Sequence, residues 1–248
     1  MTTVPHLLLL AGSGEARKLA QSLAGGPLRV TASLFVTDHW SGPLPVPTRH
    51  GGFGGEEGFR AFLKEHGITA VLDATHPFAA RVSARSWRIC NEMGLPYLQL
   101  DRPEWEPGPG DRWTEVATPE EAVALTKPGS RHFVTTGLES WAAFRGATDR
   151  RFFFRSLSGT TPPEDLPHIC LVPGRGPFSV EHEYRLFEDL HLDGLICKNA
   201  GGSVSRTKLE AARALDMDVI LLRRPEPSGA PLVRDVAGAL EWVDRTCP

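Results

Sequence analysis

The sequence predicts an α/β protein made of two doubly wound domains, with mostly parallel sheets and a ligand cleft between them. Short apolar runs alternate with segments of helical period along nearly the whole chain. One stretch rich in proline and glycine, at residues 102–112, interrupts the alternation and is predicted to be a linker. A length of 248 residues suits two domains of this kind.

The first domain is predicted over residues 1–102. Its opening run, His6 to Ala11, is almost continuously apolar, as is typical of a strand covered on both faces. The next segment repeats apolar residues at helical spacing until Gly25 ends the pattern. The cycle then recurs as the strand LRVTASLFV, a loop rich in proline and glycine, the helix EEGFRAFLKEHG, the strand ITAVLDA, a helix within DATHPFAARVSARSWRIC and the strand YLQL.

The second domain is predicted over residues 103–248. Strands that alternate with helices need right-handed crossovers, so both sheets should be parallel, with ligand-binding segments after the strand ends. The predicted strands are HFVTT, RFFFRSL, HICLV, DGLICK and DVILLR. The predicted helices are FSVEHEYRLFEDLH, SRTKLEAARALD and RDVAGALEWVDRT.

Composition excludes several classes of protein. A net charge of -3 and a pI near 6.3 argue against a nucleic-acid-binding domain, so an anionic ligand would need a local positive patch. No apolar run approaches the roughly 20 residues of a membrane span, and no basic region precedes the first apolar run, so we expect a cytoplasmic location. The four cysteines are far apart, which predicts buried thiols and neither a metal site nor a disulfide framework.

The turn after the first strand is a candidate phosphate site. Gly12, Ser13 and Gly14 form a glycine turn that opens a helix, where free backbone N–H groups and the helix dipole suit an anion. Arg17 stands where a G-x-G-x-x-G motif has its last glycine, so a plain strand-to-helix turn is the alternative. A guanidinium there is unfavourable to the dipole but useful to a phosphate.

The end of the second strand leaves two alternatives open. Asp38 stands roughly where an acid would take the ribose hydroxyls of NAD. His39, Arg49 and His50 could instead meet the additional phosphate of NADP. The glycines of RHGGFGG would let a ligand approach the backbone closely, or they form a flexible connection to the next helix.

Polar residues follow the apolar strand ITAVLDA. Asp73 and Thr75 fall at its carboxyl end, and Pro77 fits the first turn of the next helix. His76 would then lie at the helix N-terminus, which favours the neutral imidazole ring. Capping of the helix is the alternative role, and for Thr75 we favour it.

The helix after DATHPF carries arginines on one stripe at positions 81, 85 and 88. A solvated face is the ordinary explanation of such a stripe. Only Arg81 lies near enough to the strand ends to be a ligand candidate.

Three segments of the second domain follow strands in the same way: VTTG, PGRGPFS and CKNAGGSVSRTK. In the last, Lys198 stands at a strand end, Gly201 and Gly202 offer bare backbone, and Lys208 begins the next helix. A lysine beside paired glycines suits a carboxylate or a phosphate, although Lys208 could equally be a surface residue. The order of residues is not that of a P-loop.

Seven motifs together resemble one enzyme family. GSGEARKLA, RHGGFGG, DATHPFAA, RPEW, GRGPF, KNAGG with a following lysine and AAR, and a late RP occur here in the order found in precorrin-6A reductases of cobalamin biosynthesis. The resemblance spans nearly the whole chain. It implies a cytoplasmic, NADPH-dependent reductase that converts precorrin-6A to precorrin-6B, with cofactor and tetrapyrrole between two Rossmann-like domains.

The resemblance departs from the family pattern at one place. Relatives often carry a basic residue in a Gly-Arg-Thr type stretch after the second strand, where this chain has VTDHWSG. Recognition of the 2′-phosphate, and with it the choice between NADPH and NADH, is therefore open on residues alone. Whether the substrate ring contains cobalt is open as well.

These considerations assign residues to three roles. We expect the cofactor at Gly12, Ser13, Gly14, Glu15, Ala16, Arg17, Thr37, Gly51, Gly52 and Thr75. We expect the tetrapyrrole at Arg81, Thr136, Gly137, Arg175, Gly176, Lys198, Asn199, Gly201, Gly202 and Lys208. His76 is the candidate proton donor.

Two other functions remain as alternatives. The chain could be a different NAD(P)-dependent oxidoreductase or sugar-nucleotide enzyme on the same fold, or a two-domain small-molecule binding module without turnover. We expect a monomer or a small homo-oligomer that binds neither nucleic acid nor membrane.

Overall fold

The computed structural model describes residues 4–35, 42–156, 166–174 and 176–248. They form two compact units, one that runs to Pro103 and also includes Pro225–Pro248, and one that comprises Glu104–Arg224. Each unit has a six-stranded sheet in which the paired strands are parallel. The predicted α/β class with parallel sheets is confirmed.

Strands and helices alternate along the chain. The first stretch forms β1 (His6–Ala11), α1 (Gly14–Leu23), β2 (Arg29–Leu34), β3 (Thr48–His50), α2 (Gly55–Glu65), β4 (Ala70–Ala74), α3 (Ala80–Glu92) and β5 (Tyr97–Leu100). The middle forms β6 (Arg112–Val116), α4 (Pro119–Leu125), β7 (Arg131–Thr135), a 3-10 turn (Leu138–Ser140), α5 (Trp141–Phe144), β8 (Arg151–Ser156), β9 (Ile169–Pro173), α6 (Val180–Asp189), β10 (Gly194–Lys198), α7 (Thr207–Ala214) and β11 (Asp218–Leu222). The end forms β12 (Leu232–Val233) and α8 (Val236–Thr246).

The sheet of the first unit is covered on both faces, as its apolar strands require. Its order is β12-β5-β4-β1-β2-β3. Leu7 and Leu9 of β1 face a core that includes residues of α1 and α8, whereas Leu8 and Leu10 face residues of α2 and α3. Because successive side chains of a strand point to opposite faces, a strand between two helical layers must be apolar throughout.

The central strand β1 marks the point where the chain changes direction across this sheet. From β1 the chain proceeds to β2 and β3 on one side, then crosses to β4 and β5 on the other. Such switch points leave space between neighbouring strand ends, and ligands of α/β proteins bind there. Gly12 follows β1 and Thr75 follows β4 at this switch point.

The last residues of the chain correct the predicted second domain. Residues 103–248 were assigned to it, but β12 pairs with β5 in the first sheet, with Leu232 opposite Gln99. Ala239 and Val243 of α8 are buried in the same core as α1. The apolar face of α8 thus completes the cover of the first sheet, and the second unit ends at Arg224.

The sheet of the second unit has the order β6-β11-β10-β7-β8-β9. Helices α6 and α7 cover one face, where Phe187 and Leu209 pack with Phe133 of β7. On β8, Phe152 and Phe154 pack edge-on against Phe144 of α5. The chain changes direction between β7 and β10, so this unit has a second switch point, beyond Thr135 and Lys198.

The structure contains elements that the sequence did not predict. They are short or lie in segments rich in proline, glycine or charge, namely β3, β6, α4, the 3-10 turn, α5 and β12. In the described part of the chain, no helix is long and apolar enough to span a membrane.

Candidate functional site

The turn between β1 and α1 is tied to the end of β4. The hydroxyl of Ser13 caps α1 by accepting a hydrogen bond from the backbone N–H of Ala16, at 3.1 Å. The same hydroxyl donates to the carbonyl oxygen of Ala74, at 2.7 Å. Ser13 therefore fixes the position of one strand end relative to the other. Ala16 is buried and its N–H is used by this cap.

The two glycines of this turn differ in the space that a side chain would find there. A Cβ on Gly12 would lie 3.3 Å from the backbone nitrogen of His76 and 3.4 Å from Cα of Thr75, so the two turns approach too closely for a side chain. A Cβ on Gly14 would meet nothing within 4 Å. The first N–H groups of a helix have no acceptor within the helix and carry its positive dipole end. Gly14 thus borders open space beside groups that suit an anion.

Charged side chains flank the same turn. The carboxylate of Glu15 accepts a hydrogen bond from Arg102, which follows β5, at 2.5 Å. Arg102 was not predicted, and its charge offsets a carboxylate that would otherwise repel a phosphate. Arg17 donates to the carbonyl oxygens of Gly42 at 2.6 Å and Pro43 at 3.2 Å, which directs its guanidinium towards the loop before β3. A phosphate contact by Arg17 stays a prediction.

Asp73 is the anchor of the segment that follows β4. Its side chain is fully buried, and its two oxygens accept hydrogen bonds from the backbone N–H of Thr75 at 2.9 Å and from the phenol of Tyr97 at 2.6 Å. Burial and the neighbouring Asp73 carboxylate raise the pKa of Tyr97 well above its ordinary value, so the phenol stays a donor. The hydroxyls of Thr75 and Ser83 are 3.3 Å apart.

The predicted position of His76 at a helix N-terminus is wrong. Helix α3 begins at Ala80, and a turn closed by the N–H of Ala79 on the carbonyl of His76, at 2.7 Å, precedes it. Pro77 therefore lies in that turn rather than in the helix, and Thr75 does not cap α3. Nδ1 of His76 accepts a hydrogen bond from the N–H of Phe78, at 3.2 Å. In the neutral ring the hydrogen is then on Nε2.

Arg49 is a cation held by neutral groups at the end of β3. Its guanidinium donates to the hydroxyl of Ser33 at 2.8 Å and to the carbonyls of Gly51 at 2.9 Å and Gly52 at 2.8 Å. It also lies 4.0 Å from the ring centroid of Phe53. Burial lowers the pKa of Arg49. Among the residues that the structure describes, no carboxylate pairs with it.

The glycines beside Arg49 adjoin an exposed aromatic ring. Gly51 has φ +90°, a conformation that favours glycine. A Cβ on Gly52 would lie 3.7 Å from the ring of Phe35, which is 78% exposed at the end of β2. An exposed ring beside bare backbone offers a flat surface to a planar ligand.

Four residues considered in the sequence lie outside the described residues: Thr37, Asp38, His39 and Arg175. The choice between an acid and a basic residue after β2 therefore stays open at those positions. The expected ligand contacts of Thr37 and Arg175 stay predictions.

The switch point of the second unit brings three predicted residues close together. Thr135 pairs with Cys197, so the following Thr136 and Gly137 lie beside Lys198. The Lys198 ammonium contacts the carboxylate of Glu139 at 2.9 Å. The carboxylate was not predicted, and its side chain is largely exposed. Gly137 has φ +97°.

The KNAGG segment after β10 folds against Trp105 of the RPEW motif. Both amide atoms of Asn199 bond to the backbone of Trp105, at 2.9 Å to its N–H and 3.1 Å to its carbonyl. The indole N–H of Trp105 donates to the carbonyl of Gly202, at 2.7 Å. Asn199 is buried, so its amide is engaged in fixing Trp105. Gly201 and Gly202 have positive φ values of +66° and +77°.

Lys208 begins α7 beside the same tryptophan. Its ammonium lies 5.0 Å from the ring centroid of Trp105 and donates to the carbonyl of Ser205 at 2.6 Å.

Gly176 lies between β9 and α6. Arg81 belongs to the first unit, where it is exposed in the first turn of α3.

The cysteines are thiols. Cys90 and Cys197 are buried, and burial raises the pKa of Cys90 to about 12 and that of Cys197 to about 11. Cys170 and Cys247 are half-buried. Within the described ranges, no group of three or more histidine, cysteine or acidic side chains is placed to hold a metal ion.

Comparisons with known proteins agree on one family. A family model described as precorrin-6x reductase CbiJ/CobK matches residues 6–244. Precorrin-6A reductase of Mycobacterium tuberculosis is 41% identical over 244 residues, which cover 96% of this chain and 97% of that protein. Precorrin-6A reductase of Rhodococcus erythropolis is 39% identical over 243 residues, with 96% and 97% covered.

A solved structure shares the fold over the same length. The structure described as CobK precorrin-6A reductase matches with a TM-score of 0.92 and 33% sequence identity, and the match covers 98% of this chain and 97% of that one. The resemblance deduced from the seven motifs is confirmed: this chain belongs to the precorrin-6x reductase CbiJ/CobK family.

Proposed function

We propose that this chain is a precorrin-6A reductase of cobalamin biosynthesis, which reduces a double bond of the precorrin-6A macrocycle to give precorrin-6B with NADPH. Family membership over residues 6–244 supports the reaction class. The geometric observation that carries the proposal is the open space at Gly14, beside the first N–H groups of α1 and at a switch point of the sheet. A cytoplasmic location is part of the proposal.

The first unit is the proposed cofactor-binding unit. The turn Gly12–Gly14 would receive the pyrophosphate, because Ser13 fixes its shape and the helix start supplies N–H donors. Arg49 would meet the 2′-phosphate of NADPH, because it is a preorganised cation that no described carboxylate neutralises. Phe35, beside Gly52, offers a face for the adenine.

The second unit is the proposed tetrapyrrole-binding unit. A precorrin ring carries acetate and propionate groups, so it needs several local donors rather than a basic protein. Lys198 at the strand end and Lys208 at the start of α7 would supply charge. The positive-φ backbone of Gly201 and Gly202 allows close approach of a large ring. Thr136, Gly137 and Gly176 complete the proposed set, together with Arg175.

When bound, the nicotinamide supplies the hydride, and the protein holds donor and acceptor carbon at reacting distance. His76 is the proposed proton donor to the macrocycle. A neutral imidazole N–H is too weak an acid for this step, so the ring would donate as the imidazolium and become neutral, which requires Nδ1 to give up the hydrogen bond that it accepts from the N–H of Phe78. The carboxylate of Asp73 accepts a hydrogen bond from the N–H of Thr75, the residue before His76. It thereby fixes the segment that carries the His76 imidazole.

A turnover assay tests the function. Purified protein is mixed with NADPH or NADH and with metal-free or cobalt-containing precorrin-6A, and cofactor oxidation is followed by absorbance while the product is identified by mass. The proposal predicts oxidation that depends on precorrin-6A, and a product heavier by two hydrogen atoms. Ligand binding without oxidation would instead support a binding module, and oxidation only with an unrelated compound would support a different oxidoreductase.

Cofactor preference is tested at Arg49. Arg49→Met should weaken NADPH binding roughly tenfold or more, because a charge-assisted phosphate contact contributes about 1.5–3 kcal/mol, and should leave NADH binding unchanged. Arg29→Met is the matched control, since Arg29 is exposed at the opposite end of the neighbouring strand β2. Equal loss of affinity for both nucleotides in Arg49→Met would reject the assignment.

A further inference from the structure

The second unit contains a buried ion pair that none of the assigned roles uses. Arg155 of β8 and Glu183 of α6 meet at 2.6 Å, and their side chains are only 8% and 5% exposed. Burial lowers the pKa of Arg155 and raises that of Glu183, so both charged forms are disfavoured by their surroundings. Apolar residues of similar size often stabilise such a position as well or better. The ion pair therefore calls for a reason other than stability.

The guanidinium of Arg155 is enclosed by aromatic rings as well as by Glu183. Its central carbon lies 3.9 Å from the ring centroid of Phe178 and 4.8 Å from that of Phe133. Phe133 belongs to the central strand β7, whereas Phe178 belongs to the segment between β9 and α6. Arg155 thus connects that segment to the rigid middle of the sheet.

The backbone after β9 rests on the same guanidinium. A Cβ on Gly174 would lie 3.0 Å from Nη1 of Arg155 and 3.0 Å from the ring of Phe178, so only glycine fits without displacement. The N–H of Gly174 donates to the carbonyl of Ser156, the residue after Arg155, at 3.0 Å. Ser179 then caps α6 through the N–H of His182. Gly174, which follows β9, and Ser179, which follows Phe178, are therefore both held by hydrogen bonds.

This segment lies at the carboxyl edge of the second sheet, which is the edge that binds ligands in parallel α/β folds. Glu183 also senses the charge of Lys208, a residue of the proposed tetrapyrrole site. The ion pair thus contacts the segment after β9 through Phe178, and its helix α6 packs against α7, which carries Lys208.

We infer that Arg155 and Glu183 are positioning residues for the tetrapyrrole: their ion pair, stacked on Phe178, holds Gly174 and Phe178, and with them Gly176 of the proposed site, in the positions that bind the polyacid ring. The inference rests on the proposed function. Arg155 acts through the segment and is too buried to be a principal ligand itself. The planar guanidinium of Arg155 suits this positioning role, because it bonds to Glu183 in its own plane while its two faces can stack on aromatic rings.

The test compares four variants: Arg155→Lys, Arg155→Met, Glu183→Gln, and the double variant Arg155→Met with Glu183→Leu. The readouts are precorrin-6A affinity without cofactor, KM for precorrin-6A and for NADPH, kcat, and the midpoint of thermal unfolding. We expect each single variant to weaken precorrin-6A binding roughly tenfold, with KM for NADPH and kcat nearly unchanged, because segment geometry and not the reacting atoms is altered.

The double variant separates positioning from stability. Because two apolar side chains remove the unpaired charge, it should unfold near the wild-type temperature yet still bind precorrin-6A weakly. Arg213→Met is the matched control, since Arg213 of α7 forms a different ion pair of the same unit, with Asp111, at 2.6 Å. It should leave precorrin-6A affinity unchanged.

Wild-type affinity in the double variant or in Arg155→Lys would overturn the inference, since the ion pair would then be structural only. An equal rise of both KM values would overturn it too. The proposed function fails separately, if the wild-type protein binds precorrin-6A but does not oxidise NADPH with it.

Discussion

The phenol of Tyr97 donates a 2.6 Å hydrogen bond to the buried carboxylate of Asp73. The two residues lie on the neighbouring strands β5 and β4. The other oxygen of Asp73 accepts from the N–H of Thr75, so the acid connects the sheet to the segment that carries His76. A carboxylate at the end of an apolar strand is thus explained by the loop that it holds in place.

Tyr97→Phe should destabilise the protein. The substitution leaves a buried carboxylate oxygen without its side-chain donor, which costs about 1–3 kcal/mol. Urea unfolding of the wild type and the variant measures the difference. Tyr184, the only other tyrosine, is the matched control, and Tyr184→Phe should leave stability unchanged. Equal stabilities of Tyr97→Phe and wild type would show that the Asp73 hydrogen bond is not needed.

Asn199→Ala should lower the free energy of unfolding, and this loss of stability should be its main effect rather than a direct loss of ligand binding. It removes both hydrogen bonds to the backbone of buried Trp105 and leaves those two groups without partners, at a cost of about 2–4 kcal/mol. Asn91→Ala, at the exposed end of α3, is the control. A stable Asn199→Ala protein with weakened precorrin-6A binding would instead support the direct substrate contact predicted from the sequence.

Protonation linked to buried His132 should lower the stability of the folded protein in acid. Burial lowers the pKa of His132 from 6.5 to about 4, although Asp193 and Asp218 act in the opposite direction and Arg150 assists. The unfolded chain therefore binds the proton more readily than the folded protein does. The free energy of unfolding decreases as the pH falls from 6.5 towards 4. Above pH 6.5 and below pH 4, His132 contributes no further change.

The His132 contribution is measured with a variant that does not titrate. Between neutral pH and about pH 4.5, the wild type should lose roughly 2–3 kcal/mol more than His132→Gln in urea unfolding. Exposed His50→Gln is the control and should follow the wild type. Parallel pH profiles of wild type and His132→Gln would contradict the effect of burial on the pKa.

The fold follows from apolar patterning where elements are long and buried. Strand β1 is apolar throughout because helices cover both of its faces, so the sequence predicts it directly. Strand β3 has the polar sequence Thr48-Arg49-His50 at a sheet edge, and β12 has two residues, so neither has a pattern to find. Pro77 suggested an early helix start because the turn before α3 contains the same residue types as a helix N-terminus.

The site is only partly predictable for a different reason. Glycine turns and strand ends are local signals, so spacing alone is enough to predict Gly12, Gly14 and Lys198 as candidates. The partners that fix these segments are distant in sequence: Trp105 is 94 residues from Asn199, and Arg102 is 87 residues from Glu15. Only the folded structure shows that the side-chain amide of Asn199 bonds to the backbone of Trp105. The predicted ligand cleft between the two domains stays a prediction.

The most direct test of the account is NADPH affinity after Gly14→Ala. The added Cβ meets no atom within 4 Å, and alanine favours a helix more than glycine does, so the fold should be kept. Gly146→Ala is the matched control, because a Cβ there also meets nothing within 4 Å. If the pyrophosphate lies against Gly14, titration should show NADPH binding weakened roughly tenfold or more in Gly14→Ala and unchanged in Gly146→Ala. Unchanged affinity in Gly14→Ala, with the protein folded, would contradict the assignment of the cofactor to this turn.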